Sequence, residues 1–266
     1  MPGEPVYFPA LDTGLIAQAP VQLSIQRNIS RAVFPDGSQL ISTLDNWRQY
    51  RWQLHYSHLS RSEQDRFNEF LHAIERGVNE FVFPDPLGNL LRNSEDLDGA
   101  AWAKSPGLEI GPIEFIAGKT CWILTNSTPV VQRIEQLVNL PRNYVSCFSL
   151  WAGWTGPQTF VLQVGTPGAE KSEMFEVSTP KRVWILEQPS NMASVTRIAI
   201  EIMPGSQLIV SSPQLEIGFK PQGYVATTDQ SGIFTAARLV KQPIVGFATS
   251  AARRGLKIEV QGEQRI

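Results

Sequence analysis

Only one run of helical periodicity can be found in this chain, and it is framed by strands. Residues 50–86 read as strand, helix, strand: YRWQLHY, then SHLSRSEQDRFNEFLHAIERG, then VNEFVFPDP. Ser60 and Glu63 have the spacing of a capping box, in which the hydroxyl accepts an early backbone N–H and the carboxylate reaches back. Phe67, Phe70, Leu71 and Ile74 follow at i, i+3, i+4 and i+7 as an apolar stripe. Gly77 stands where a left-handed C-cap would end the helix. From residue 88 to about 228 the helical period disappears. YVSCFSLW, TFVLQV, KRVWIL, VTRIAIEI and QLIVSSPQLEIG are β-rich runs separated by Gly, Pro, Ser and Asn clusters, the pattern of a sandwich or jelly roll. The tail then alternates cleanly through Leu256, Ile258 and Val260. The expected fold is mainly β with one α-helix. A small α+β domain begins over residues 1–87, is interrupted by a β-sandwich over 88–228, and is completed by a return segment, 229–266.

Local patterns fill in the first domain. Residues 1–20 are rich in Pro, Gly and Ala without a period, and read as an extended arm or as loop around a short strand. VQLSI places Val21, Leu23 and Ile25 on one face. Pro35-Asp36-Gly37 signals a turn between two short strands. Tyr50, Trp52, Leu54 and Tyr56 share a face of the next strand. Phe81 and Phe83 point to one side of a short strand that Pro84 and Pro86 stop.

Composition narrows the function classes. The chain of 266 residues has ample material for a core. A net charge of -2 gives no general attraction to nucleic acid. No apolar run reaches the ~20 residues that a membrane-spanning helix needs, so no membrane partner is expected. MPGEPVYFPALDTG lacks the basic and apolar regions of a signal peptide. Cys121 and Cys147 are too few for a disulfide framework and read as buried thiols. Charge is uneven: residues 1–87 carry 7 basic and 10 acidic groups, residues 229–266 carry 6 basic and 3 acidic. Opposite signs suit two segments that pack together; chance is the other reading.

Two stretches resemble known families. WQLHYSHLSRSEQDRFNEFLHAIERGVNEFVFPDPLGN resembles the core of distal-tail and minor-tail proteins of long-tailed bacteriophages. In those proteins a strand leads into a Leu-Ser helix with spaced Phe, a Gly ends the helix, and the next strand closes on Phe-x-Phe-x-Asp-Pro. LLRNSEDLDGAAW paired with PQLEIGFKPQGYVATT resembles the opening and closing strands of carbohydrate-binding-like jelly rolls of phage structural proteins. The resemblances imply a structural virion protein of the tail tip or baseplate, assembled in the host cytoplasm. Residues 1–87 and 229–266 would form a ring-building domain, with a hexamer among the possible orders. The tail tube protein and tail hub or fibre proteins would be its partners. Residues 88–228 would be a sandwich facing outward, able to contact host surface polysaccharide. The alternative is a carbohydrate-binding adhesion module as the working function, or a glycan-active enzyme.

Little in the sequence points to catalysis. His55 and His58 are spaced H-x-x-H on a strand end and turn, with no cysteine nearby, and His72 is the third histidine. They read as solvated or hydrogen-bonded groups rather than a metal site. No serine, cysteine or histidine sits in a recognisable nucleophile elbow. The expectation is no enzyme: no catalytic residue, no metal and no cofactor. SEDLD (94–98) could hold Ca²⁺ through its carboxylates, or could cap the first sandwich strand as a polar loop. Glu95 and Asp96 could mimic a glycosidase acid pair, but no second pair is legible. RRGLK (253–257) reads as a basic, solvated turn, with nucleic acid or the lumen of a tube as the other reading. Five tryptophans, Trp102, Trp122, Trp151, Trp154 and Trp184, crowd the sandwich. Aromatic faces stack on sugar rings, although most sandwich tryptophans are core. Trp154, set between Gly153 and Thr155-Gly156 on an expected turn, is the leading candidate for carbohydrate binding, with Trp151 and Trp102 beside it.

Overall fold

The computed structural model describes residues 5–75, 79–111, 114–116, 118–141, 143–153, 157–189, 195–241, 244–250 and 253–265. Along the chain these form β1 (Gln18–Val33), β2 (Gln39–Leu59), α1 (Arg61–Ala73), β3 (Phe81–Pro84), β4 (Ala103–Lys104) and β5 (Leu108–Ile110). Then come β6 (Glu114–Ile116), β7 (Lys119–Asn126), β8 (Gln132–Val138), β9 (Ser146–Ala152), β10 (Gln158–Thr166) and β11 (Ala169–Val177). The last are β12 (Lys181–Glu187), β13 (Thr196–Ile202), β14 (Ser206–Ile217), β15 (Ile233–Leu239), β16 (Ile244–Ser250) and β17 (Arg253–Arg265). The protein is mainly β, with one helix among the described residues. It divides into two compact units: Met1–Asp12, Ala17–Phe83 and Phe234–Ile266 form one, Thr13–Ile16 and Pro84–Ile233 the other.

The first unit is a sheet of order β1-β2-β17-β15-β3, with β16 also paired to β17. Alternation sets its buried face. Trp52, Leu54 and Tyr56 of β2 lie opposite Val260, Ile258 and Leu256 of β17, and all six are buried. The helix starts as its capping box requires. Ser60 Oγ accepts Glu63 N at 3.2 Å, and Glu63 Oε2 accepts Ser60 N at 2.7 Å. The second oxygen of Glu63 accepts Asp12 N at 2.8 Å, and Asp12 in turn accepts Ser60 Oγ and Arg66 Nη2, both at 2.6 Å. The N-terminal arm is thereby fastened to the first turn of α1. Phe67, Phe70 and Ile74 are buried, while Leu71 is half-buried beside an apolar groove shared with Leu59 and Leu256. The stripe is therefore narrower than the i, i+3, i+4, i+7 pattern predicts. Gly77, expected as the C-cap, lies outside the described residues.

Within the segment 1–20, which the sequence leaves as an extended arm or as loop around a short strand, Phe8 holds the centre of this core. Phe8 N donates to Val82 O at 2.9 Å, which puts the Phe8 ring between helix and sheet. Its centroid lies 5.9 Å from Phe67, 5.3 Å from Phe70, 5.9 Å from Phe81 and 5.2 Å from Phe83. Trp52 extends the cluster to Phe234 at 4.7 Å. Gly262 lets Phe234 sit flat on β17, because a Cβ there would fall 2.5 Å from the ring.

Two further expectations are corrected. The Pro35-Asp36-Gly37 turn joins strands of 16 and 21 residues, not two short ones. Gly37 takes φ 83° and Asp36 Oδ1 accepts Ser38 N at 2.9 Å. The RRGLK segment is not a turn but the beginning of β17, where Arg254 pairs with Leu59 and Leu256 with Tyr56.

The second unit is a β-sandwich. One sheet runs β11-β10-β13-β8-β4; the other runs β12-β9-β14-β7-β5, with β6 paired to β7. Phe160, Leu162 and Val164 of β10 and Ile198, Ile200 and Ile202 of β13 supply one inner face. Phe148 and Leu150 of β9, Val183 and Ile185 of β12, and Leu208, Val210 and Leu215 of β14 supply the other. Opening segment 89–94 is irregular, bending at 91–93, rather than the expected strand. It is held by Asn89, whose Nδ2 donates to Pro213 O and Val225 O and whose Oδ1 accepts Leu91 N and Leu215 N, all at 3.1 Å. Asn93 N and Ser94 N then donate to Thr228 O and Thr227 O.

The core assignments carry measurable consequences. Phe8→Ala should cost about 3–5 kcal/mol in urea denaturation, and Leu71→Ala clearly less, because Leu71 is half-buried. Asp12 titrates below the ordinary carboxylate range, chiefly because Ser60 and then Arg66 hydrogen-bond its charged form. A carboxylate of lowered folded pKa stabilises the fold above its unfolded pKa and loses that contribution as pH falls through the folded value. Wild type should therefore melt above Asp12→Asn at neutral pH, and the gap should close on acidification below the ordinary carboxylate range.

Candidate functional site

The site is built by strand alternation and one bulge on the outer face of the β12-β9-β14-β7-β5 sheet. Val183 and Ile185 of β12 face the core, so Arg182, Trp184 and Leu186 point outward. On β9, Phe148 and Leu150 face inward, leaving Cys147, Ser149 and Trp151 outward. Trp184 pairs with Ser149 and Arg182 with Trp151, which sets the two indoles diagonally across neighbouring strands. On β14 the register shifts between Ser211 and Gln214, where Ser212 adopts φ 53° before Pro213. The bulge restores the alternation with the opposite parity. Ser211, Gln214 and Glu216 consequently lie on the same outer side, opposite Trp151, Ser149 and Cys147.

Trp184 is the exposed member, at 46%. Trp151 is half-buried beside it. Beneath them, Arg182 ties three elements together. Its Nε and Nη2 donate to Ser149 Oγ at 3.2 and 2.9 Å, and its Nη1 donates to the Gln222 carbonyl. Its Nη2 lies 3.9 Å from Glu216 Oε1. Glu216 accepts Gln222 N through both oxygens, at 3.0 and 3.2 Å. Gln214 accepts Val225 N at 2.8 Å and donates to Gly223 O at 3.2 Å. Residues 222–225 are thus laced across the outer surface of β14 and form one wall of the face.

Burial governs the electrostatics. It raises the Glu216 carboxyl, against the Gln222 amide, Gln214 and Arg182, and it lowers the Arg182 guanidinium, against Glu216. The Cys147 thiol is pushed up to about 12 by burial and by the Glu216 charge. It is therefore a protonated, inert thiol rather than a nucleophile. Burial also pushes Tyr224 up to about 12, with the Glu95 charge adding to it, while its hydroxyl lies 2.9 Å from Ser94 Oγ. The face offers flat apolar surface with polar rims, a chemistry of stacking and hydrogen bonding.

The residues expected from sequence fare differently. Trp102 is 2% exposed, and its Nε1 donates to Asn93 O at 3.0 Å, so it cannot present a ring to a ligand and is corrected to core. Trp122 is likewise buried, its Nε1 donating to Glu95 O at 3.0 Å. Trp151 lies at the face, and Trp154 lies outside the described residues. In SEDLD, Asp98 is engaged by Lys104, whose Nζ donates to its carbonyl at 2.8 Å and its carboxylate at 2.5 Å. His55 and His58 are exposed on β2, and His72 is exposed in the last turn of α1. Trp184, Arg182, Glu216 and Gln222 were not singled out from sequence. The signal for Trp184 is the alternation of KRVWIL, with Val183 and Ile185 on the opposite face.

Comparison with known proteins gives likenesses of fold only at a low level. No protein-family model matches the chain, and no curated protein matches it. Among solved structures, the C-terminal family 22 carbohydrate binding module of Clostridium thermocellum Xyn10B is similar at 14% identity and a TM-score of 0.40, over 53% of this chain and 99% of that one. TmCBM61 in complex with beta-1,4-galactotriose is similar at 17% identity and 0.38, over 49% of this chain and 99% of that one. The enzymatically active domain of bacteriophage CBA120 tailspike protein 4 is similar at 12% identity and 0.38, over 51% of this chain but 22% of that one. Likeness at this level does not transmit a ligand.

If Arg182 holds the wall, Arg182→Gln should raise amide hydrogen exchange at Gln222 and Gly223, with β9 and β10 amides unchanged. Equal protection in variant and wild type would show that the wall stands without it.

Proposed function

We propose that the sandwich is a carbohydrate-binding unit that uses the Trp184–Trp151 face and carries out no covalent chemistry. The observation that supports this is Trp184 itself. A regular sheet strand places a large aromatic in water at 46% exposure, beside a second indole and over a rigid polar floor. An indole exposes an apolar ring with a hydrogen-bonding edge, which suits the apolar face and hydroxyl rim of a pyranose. Trp184→Ala should abolish binding to a polysaccharide panel in affinity electrophoresis, and Trp151→Ala should weaken it. Leu137→Ala, an exposed substitution on the outer face of the other sheet, should leave it unchanged. Turnover of any polysaccharide by the purified protein would refute the non-enzymatic part.

A second reading concerns the first unit. It forms a self-assembling ring in the tail tip of a phage virion, with tail tube and hub or fibre proteins as partners and the sandwich directed to host polysaccharide. The long hairpin favours it. Among the described residues β17 ends its pairing at Trp47, and residues 39–43 pair with β1 beyond it. A two-stranded ribbon is marginal in water without a third strand or a packed face. Val33 at 64%, Leu40 at 55% and Trp47 at 49% are nonetheless exposed on it. A neighbouring subunit would cover them. Negative-stain images should show rings of uniform diameter, lost in Val33→Glu/Leu40→Glu without a change in melting. A protein that stays monomeric at assembly concentrations would rule the ring out.

A further inference from the structure

We infer that the Trp184–Trp151 face takes a neutral glycan, and that Arg182 is an internal strut rather than a receptor for acidic sugars. This rests on the carbohydrate reading of the face. Six side chains of β12 and β9 point outward, and Arg182 is the one charged group among them. A free guanidinium beside two indoles would be a ready receptor for a uronate carboxylate or a sulfate ester. This one is not free. Ser149 Oγ takes two of its nitrogens, the Gln222 carbonyl takes the third, and the Glu216 carboxylate lies 3.9 Å away.

The balance of charge follows from those contacts. Glu216 is 3% exposed and fixed by the Gln222 amide, so its negative charge stays next to Arg182. An acidic sugar reaching for the guanidinium would have to displace Gln222 or Ser149 and would approach a buried like charge. It would lose its own hydration without finding a free guanidinium beside the indoles. Lys171, at the edge of the face, donates to the Leu186 carbonyl at 2.9 Å. A neutral pyranose meets none of these costs. Its apolar face stacks on indole, and its hydroxyls are served by the uncharged Gln222 wall.

The test is titration calorimetry of the full chain against neutral glucan, galactan and xylan, and against polygalacturonate, alginate and a sulfated galactan. Salt is varied from about 0.01 M to about 1 M, a range over which screening lengths fall about tenfold. The inference expects a neutral polymer bound at least about tenfold tighter than any acidic one, with affinity insensitive to salt and lost in Trp184→Ala. Preferred binding of an acidic polymer, weakening with salt and abolished in Arg182→Gln, would overturn the neutral class while leaving the face a glycan site. Binding of no polymer, or binding indifferent to Trp184→Ala, would remove the carbohydrate reading and this inference with it.

Discussion

The architecture of the second unit turns on one buried primary amide. Asn89 offers two donors and two acceptor lone pairs, and four backbone groups take them: Pro213 O, Val225 O, Leu91 N and Leu215 N. No apolar side chain could satisfy the bulge of β14, the opening turn and the closing segment at once. An unsatisfied carbonyl or amide in that place would cost on the order of 1–3 kcal/mol each. The amide therefore decides where the chain enters the sandwich and where it leaves. In the same act it brings residues 222–225 over the outside of β14.

From that placement the binding face follows by geometry. The bulge at Ser212-Pro213 turns Gln214 and Glu216 outward, and these two side chains hold the returning backbone by its amides and a carbonyl. Arg182 reaches the same segment from the far strand and rests on Ser149 between. Three strands and a loop become one rigid floor. Such a floor is organised before a ligand arrives, which reduces the ordering cost that limits weak binding.

How much of this was legible depends on the range of the interaction involved. The helix was readable because a capping box and an i, i+3, i+4, i+7 stripe are local; Ser60 and Glu63 bond as their spacing requires. The sandwich was readable because each core strand carries its own alternation. Phe8 was not, since it sits in an aperiodic arm and its burial comes from residues about 60–75 positions away. The length of the β1–β2 hairpin escaped because apolar residues near its tip, Val33, Phe34 and Leu40, are exposed and give no core-facing alternation to read. Trp184 was obscured because a tryptophan in a sandwich strand is most often core, although Val183 and Ile185 on the opposite face place it outward. Trp102 and Trp122 illustrate the reverse problem: each indole is buried because its N–H has a backbone carbonyl to meet, at Asn93 and Glu95. That partner is invisible until the chain is folded.

The opening turn of the sandwich gathers three such donors. The carbonyls of Asn93, Glu95 and Asp98 point at Trp102 Nε1, Trp122 Nε1 and Lys104 Nζ, with the Asp98 carboxylate closing on the same ammonium. A convergence of carbonyls and a carboxylate is the kind of loop that other proteins organise around a dissolved ion. Here the positive charge is tethered to the chain two residues beyond Trp102, at the end of β4. A tethered charge has no dissociation constant. The cation that closes the Asp98 turn is part of the chain itself and is delivered by folding rather than by solution.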